Sequence, residues 1–293
     1  MTLTRGLLTA AAIPIVLLGA CAQPGTSGEA GAAPDRATSD PVTESARADA
    51  DAVVLRVQYR GGFVPPQFLA GRLPLVSVYA DGRVITEGPT TLIYPGPALP
   101  NLQVARITPE EVTQLAAEAT EAGVKTGADF GRPGVADIPS TVVTVTTGYG
   151  TETVAVEALN EAQPDDGALT AENKADRERL KTFVGKLTSL GADAQPYAPE
   201  EVAAIARPWT DPGDGLAGKP VTWPGPRLPG EALNATAGVN CLAVTGAEKD
   251  AVLAAAAKAN QQTPWESGGK QWSVTFRPLL PDESGCASLR RAE

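Results

Sequence analysis

The chain has 293 residues: 24 are Lys or Arg, 34 are Asp or Glu, three are Cys, one is Met and none is His. The absence of histidine excludes a Ser-His-Asp or Cys-His nucleophile, an imidazole general base and a His-based zinc site. A net charge of −10 argues against nucleic acid and against anionic lipid head groups, both of which need clustered Lys and Arg, while 43% hydrophobic residues suffice for a core.

Residues 1–20 read as a targeting segment, with Arg5 as the positive n-region and Gly6 to Leu18 as the apolar run. That run contains Pro14 and falls short of the ~20 residues needed to cross a ~30 Å hydrocarbon core. It ends in Leu18-Gly19-Ala20-Cys21, which resembles the lipobox of bacterial lipoproteins. The resemblance implies cleavage before Cys21, diacylation of its thiol and a lipid anchor on the outer face of the bacterial cytoplasmic membrane. Two acyl chains are enough for stable anchoring where one is not. The alternative is an ordinary secretory signal that happens to contain a cysteine. Cleavage would remove Arg5 and no acid, taking the net charge from −10 to −11.

Residues 21–51 are rich in Ala, Gly, Ser, Thr and Pro, with Val42 the one larger aliphatic side chain. Such a segment cannot bury enough apolar surface to order itself, so it reads as a flexible tether with a span of ~30 Å.

Residues 52–195 read as an N-terminal α+β module. Val53 to Arg60 places Leu55, Val57 and Tyr59 on one face of a strand. Leu75 to Tyr79 and Arg83 to Glu87 flank Ala80-Asp81-Gly82, a hairpin signal because Asp and Gly tolerate positive φ. Gly88 to Arg106 reads as a Pro- and Gly-rich loop. Thr108-Pro109-Glu110-Glu111 starts a helix, with Thr108 as N-cap, Pro109 at the first position and Glu111 closing a capping box; Gly123 ends it. Thr141 to Thr147 and Thr151 to Ala158 flank Gly148-Tyr149-Gly150 as a second hairpin. Thr170 caps a second helix with the stripe Leu180, Phe183, Val184, Leu187 and Leu190, ended by Gly191. The order β-ββ-α-ββ-α predicts an antiparallel sheet with helices on one face. Tyr79, Asp81-Gly82, Val84, Thr108 to Val112 and Asp137-Ile138-Pro139-Ser140 together resemble an uncharacterised bacterial domain of hairpin, helix and hairpin over residues 70–160. The resemblance implies the fold and carries no activity.

Residues 196–293 read as a second, smaller α+β module. A short helix is expected from Pro199 to Ala206, followed by a Gly/Pro segment carrying Trp209 and Trp223. Val239 to Thr245, a helix from Ala247 to Asn260 capped by Thr245 and Glu248, and Gln271 to Arg277 suggest a compact βαβ unit. With Cys21 acylated, Cys241 and Cys286 remain, an even number that reads as one disulfide pinning the C-terminal tail to the sheet, with two free buried thiols as the alternative.

Candidate chemistry is sparse. Ser267-Gly268-Gly269-Lys270 and Lys125-Thr126-Gly127 match motifs of penicillin-binding proteins, but in reversed order and with Ser267 in a turn. Thr146 to Gly150 echoes a potassium-channel filter and reads as a hairpin turn instead. Carboxylate pairs can work without histidine. Glu110-Glu111 are explained by capping and Asp165-Asp166 by a loop, which leaves Asp282-Glu283 as the pair least easily set aside. No catalytic residue, metal site or cofactor is assigned. Trp209, Trp223 and Trp265 form a candidate binding surface for an envelope protein, peptide or glycan, the alternative being that they fill a small core. The expected function is non-catalytic binding at the cell envelope, anchored to the membrane through the N-terminal lipid. The other readings are a carboxylate-dependent envelope hydrolase and an accessory subunit of a larger envelope protein.

Overall fold

The computed structural model describes residues 47, 49–190 and 193–291, so the leader, Cys21, most of the tether and Gly191 lie outside the described residues. The fold is α+β, built on two sheets that belong to one compact unit.

The first sheet has seven strands: β1 (Val53–Arg60), β2 (Val76–Tyr79), β3 (Arg83–Glu87), β4 (Leu102–Arg106), β5 (Ser140–Thr147), β6 (Gly150–Glu157) and β7 (Gln195–Pro196). They run in the order β6-β5-β1-β2-β3-β4-β7, every neighbouring pair antiparallel. Gly82, at φ +83, makes the β2–β3 turn; a Cβ there would come 2.2 Å from the Ile107 carbonyl oxygen, so only glycine fits. Leu55, Val57, Val76, Val78, Val143 and Val145 project to one face and meet two helices, α2 (Pro109–Glu121) and α3 (Ala171–Thr188). Both helices carry the reciprocal capping box, Thr108 with Glu111 and Thr170 with Asn173, so their first free N–H groups are satisfied locally. Gly123, at φ +94, follows the end of α2 as expected.

Three features differ from expectation here. The Gly88–Arg106 loop ends in β4, whose Val104 pairs with Ile85; the Pro-rich run before it hid a five-residue strand. A short helix, α1 (Pro66–Gly71), begins with Pro66 at its first turn. The opposite face of the sheet is covered too: Tyr79, Ile85 and Leu102 pack against Leu280 of the C-terminal tail.

The second sheet runs β10-β11-β8-β13-β12-β9, with β8 (Glu201–Pro208), β9 (Val221–Thr222), β10 (Glu231–Asn234), β11 (Val239–Thr245), β12 (Trp265–Ser267) and β13 (Lys270–Pro278). All its pairs are antiparallel except β12 with β9. The helix expected at Pro199–Ala206 is strand β8. Val202 to Ala206 are all buried because β8 is central and covered on both faces. A continuous apolar run of that length has no periodicity to separate strand from helix. The expected βαβ unit is opened out: β11 and β13 both pair antiparallel to β8, so they are parallel to one another with β8 between them. Helix α4 (Gly246–Ala256) lacks the expected side-chain cap, since Thr245 makes no capping hydrogen bond, and it ends before Asn260.

One face of this sheet holds Trp223, Trp265 and Phe276 against Val252 and Ala256 of α4. The other holds Ile205, Cys241, Leu279 and Cys286, with Ala70 of α1 at its border. Cys241 and Cys286 are joined by a disulfide, Cα to Cα 5.9 Å, which fastens the tail to β11. Among the described residues no helix is long and apolar enough to cross a membrane.

Candidate binding groove

Gly71 closes α1 against the second sheet. A Cβ at that position would come 2.8 Å from Thr275 Cγ2, so the absence of a side chain lets α1 lie directly on β13. On the other side, the loop from Gly88 to Asn101 leaves the first sheet and is strapped to the segment after α4. Gln261 N–H donates to the Gly96 carbonyl at 2.9 Å, Ala98 N–H to the Ala259 carbonyl at 3.1 Å, and Gln262 Nε2 to the Tyr94 hydroxyl at 2.8 Å. Gly88 N–H bonds the Asn101 carbonyl at 2.7 Å and closes the loop at its base.

Between α1 and this strapped loop lies a groove of about 650 Å³, floored by β13 residues 273–276 and the end of β8. The volume falls within the ~300–1,000 Å³ of small-ligand sites. Its aromatic groups are Tyr59, Phe68, Tyr94, Trp209 and Phe276. Its charged groups are Arg72, Arg207 and Glu87. Of its lining residues, Phe68 (53% exposed) and Tyr94 (71%) stand in solvent on two separate segments, and Phe63, Leu92 and Ile93, near them in sequence, are exposed as well. Large apolar side chains left exposed along a concavity mark an interaction surface.

The tryptophans are divided between core and groove. Trp223 and Trp265 are not surface residues: they are 6% and 1% exposed and meet edge to face at 5.6 Å in the core, with Phe276 stacked beside Trp223. Trp272 is also buried, opposite Trp265. Trp209 is half-buried, donates through Nε1 to the Gln262 carbonyl at 3.2 Å, and is the one tryptophan lining the groove. The surface expected from three tryptophans therefore reduces to Trp209. Phe68, Tyr94, Gln67, Arg72 and Arg207 join it and were missed. Their sequence signal was present in Phe63-Val64-Pro65-Pro66 and Leu92-Ile93-Tyr94-Pro95, apolar residues set where Pro and Gly prevent a long element from burying them.

The carboxylate pairs are engaged elsewhere. Asp282 accepts two hydrogen bonds from the Arg56 guanidinium, at 2.9 and 2.7 Å, and one from the Tyr79 hydroxyl at 2.8 Å. Burial alone would raise the Asp282 carboxyl; the Arg56 hydrogen bonds and charge outweigh it and hold it below the usual range. Burial pushes the Tyr79 hydroxyl well up, so it stays a donor, and pushes Tyr197, which donates to the Leu279 carbonyl, up to about 12. Glu283 accepts from buried Arg277 at 2.7 Å and from Leu280 N–H at 2.8 Å. Both acids thus hold the C-terminal tail, Asp282 against the first sheet and Glu283 against the end of β13. Glu111 caps α2, and Asp166 accepts from Gly134 and Ala168 N–H groups in a turn. Glu87 is the one acid among the groove's lining residues, so the groove holds no pair able to share acid and base roles. Ser267 and Lys270 sit in the β12–β13 hairpin, where Ser267 Oγ accepts from Leu228 N–H. Among the described residues no group of three or more His, Cys, Asp or Glu is placed to hold a metal.

No protein-family model, curated protein or solved structure gives a significant match to the chain.

Proposed function

We propose that the chain is a lipid-anchored extracytoplasmic protein with a non-catalytic binding role at the bacterial cell envelope, and that the groove is its contact surface. The anchor rests on Leu18 to Cys21. The observation that carries the binding reading is the pair of solvent-exposed aromatic side chains, Phe68 and Tyr94, that line the 650 Å³ groove from two separate segments. The carboxylate-hydrolase reading has no such support, because Asp282 and Glu283 are tied to Arg56 and Arg277. A second reading, an accessory subunit docked on a larger envelope protein, is favoured by Leu92 and Ile93, which carry the apolar surface beyond the groove itself.

Two experiments separate the parts. Growth in labelled palmitate should label the wild-type protein and leave Cys21→Ser unlabelled; label that persists in the variant contradicts the anchor. Capture from envelope extracts should recover partners with the wild-type chain that are lost with Phe68→Ala/Trp209→Ala. Identical partner lists contradict the groove as contact surface.

A further inference from the structure

The groove accounts for Phe68 and Tyr94 and leaves three exposed apolar side chains without a role. Phe63 is 90% exposed, Leu92 103% and Ile93 63%. All three follow strands that leave the first sheet at the same end. Val76 of β2 pairs with Val57 of β1 and with Thr86 of β3, both antiparallel, so β1 and β3 run in one direction. Phe63 comes after β1 and Leu92-Ile93 after β3. The second of these segments is fastened on both sides of Leu92 and Ile93. Gly88 N–H is bonded to the Asn101 carbonyl, and the Tyr94 hydroxyl accepts from Gln262 and donates to Asp214.

Neither segment carries charge. Residues 61–71 and 88–101 contain no Asp, Glu, Lys or Arg, in a chain of which 20% is charged. A protein-docking surface surrounds its apolar centre with a polar rim, whose charges fix register and partner. A surface that enters a bilayer must instead be free of charge, because taking a charged group out of water is costly. Around the adjoining groove, Arg72 and Arg207 are offset by Glu87 and by Asp214, which is bonded to Gln262, so the contact calls for no anionic lipid.

The point where the polypeptide enters the sheet shows how a membrane would meet this end. Val53 pairs with Tyr79 at the opposite end of the sheet, and Asp51 just before it is paired with Arg83. β1 has eight residues, which places the entry point about 26 Å from the exposed end. Residues 21–51, read from their composition as a tether, have an r.m.s. span of ~30 Å. A link whose span matches the distance between two contacts gives the second contact its highest effective concentration.

We infer that Phe63, Leu92 and Ile93 insert into the headgroup boundary of the membrane that holds the N-terminal anchor, as a second and non-covalent contact with the same bilayer. The inference rests on the lipid-anchor reading above.

The test uses residues 21–293 with Cys21→Ser and an N-terminal hexahistidine tag, captured on phosphatidylcholine vesicles that contain a nickel-chelating lipid. The chain has no histidine of its own, so capture is through the tag and reproduces the tether whether or not the cell acylates Cys21. Leu92→Trp or, separately, Tyr149→Trp at the β5–β6 hairpin tip reports contact with lipids brominated on the acyl chain, after subtraction of the protein carrying neither change. Emission from position 92 should fall at least twofold in brominated vesicles, with no change at position 149. Adding Phe63→Asp/Ile93→Asp should abolish that quenching while the circular dichroism stays that of the wild type. Unchanged emission at position 92, or equal quenching at 92 and 149, overturns the proposal. A protein adduct from a photoreactive residue at position 92 in cells, without acyl-chain quenching, overturns it as well and gives these side chains to a protein partner. Because the tag stands in for the acyl chains, a wild-type chain that takes up no palmitate contradicts the anchor alone, and absent quenching contradicts the bilayer contact alone.

Discussion

Asp282 shows how one side chain can look catalytic in a sequence and be structural in the fold. It sits at the junction where the C-terminal tail meets the helix-free face of the first sheet, within hydrogen-bond reach of Arg56 and Tyr79. Replacing it with Asn removes charge-assisted bonds from a mostly buried site and should cost about 2 kcal/mol in urea unfolding near neutral pH. The sign with pH follows from the lowered folded-state value. A depressed carboxyl stabilises the fold above its unfolded pKa and loses that contribution as pH falls through the folded one. The gap between wild type and Asp282→Asn should therefore shrink below about pH 4, the ordinary aspartate value. A gap that is constant with pH contradicts the ion pair.

At the scale of elements, local chemistry carried most of the fold. The Asp81-Gly82 hairpin, the Thr108 capping box and the period of Leu180, Phe183, Val184 and Leu187 are all decided within a few residues of sequence, and all are present. The elements that escaped were those decided by tertiary context. Val202 to Ala206 is a strand because both of its faces are covered, and β4 exists because Ile85 offers an edge to Val104. Thr245 was misjudged in the other direction, since its spacing to Glu248 suits a capping box that does not form. The two threonines make a direct comparison. Thr108→Ala should destabilise the protein by about 1 kcal/mol, whereas Thr245→Ala, which removes no capping bond, should fall within the ~0.5 kcal/mol typical of surface substitutions. Equal losses in chemical denaturation would contradict the distinction.

At the scale of the whole molecule, the disulfide and the Asp282–Arg56 pair act in series. The bridge fixes Cys286 to β11, and the segment just before it delivers Leu280 and Asp282 to the first sheet. Closing a loop with a sequence separation of 45 residues is worth about 4 kcal/mol by chain entropy. A Cys241→Ala/Cys286→Ser protein should lose about that much stability and should exchange backbone amide hydrogens faster in β1 and β2, far along the chain from either cysteine. Protection unchanged in those strands would show that the tail does not couple the sheets. The pairing of Cys241 with Cys286 was legible by counting cysteines. The groove was not, because α1, the strapped loop and the end of β8 converge only in the folded chain, and the tryptophans that suggested a surface include Trp265, one of the most deeply buried side chains in the core, and buried Trp223.

The most direct test of the groove as contact surface is photo-crosslinking in intact cells, with a photoreactive amino acid placed at Phe68 or, in a separate strain, at Tyr149. Both positions are exposed, Tyr149 at a hairpin tip outside the groove's lining. A discrete adduct from position 68 and none from position 149 is the predicted result. Adducts absent from both positions, or identical at the two, would contradict it.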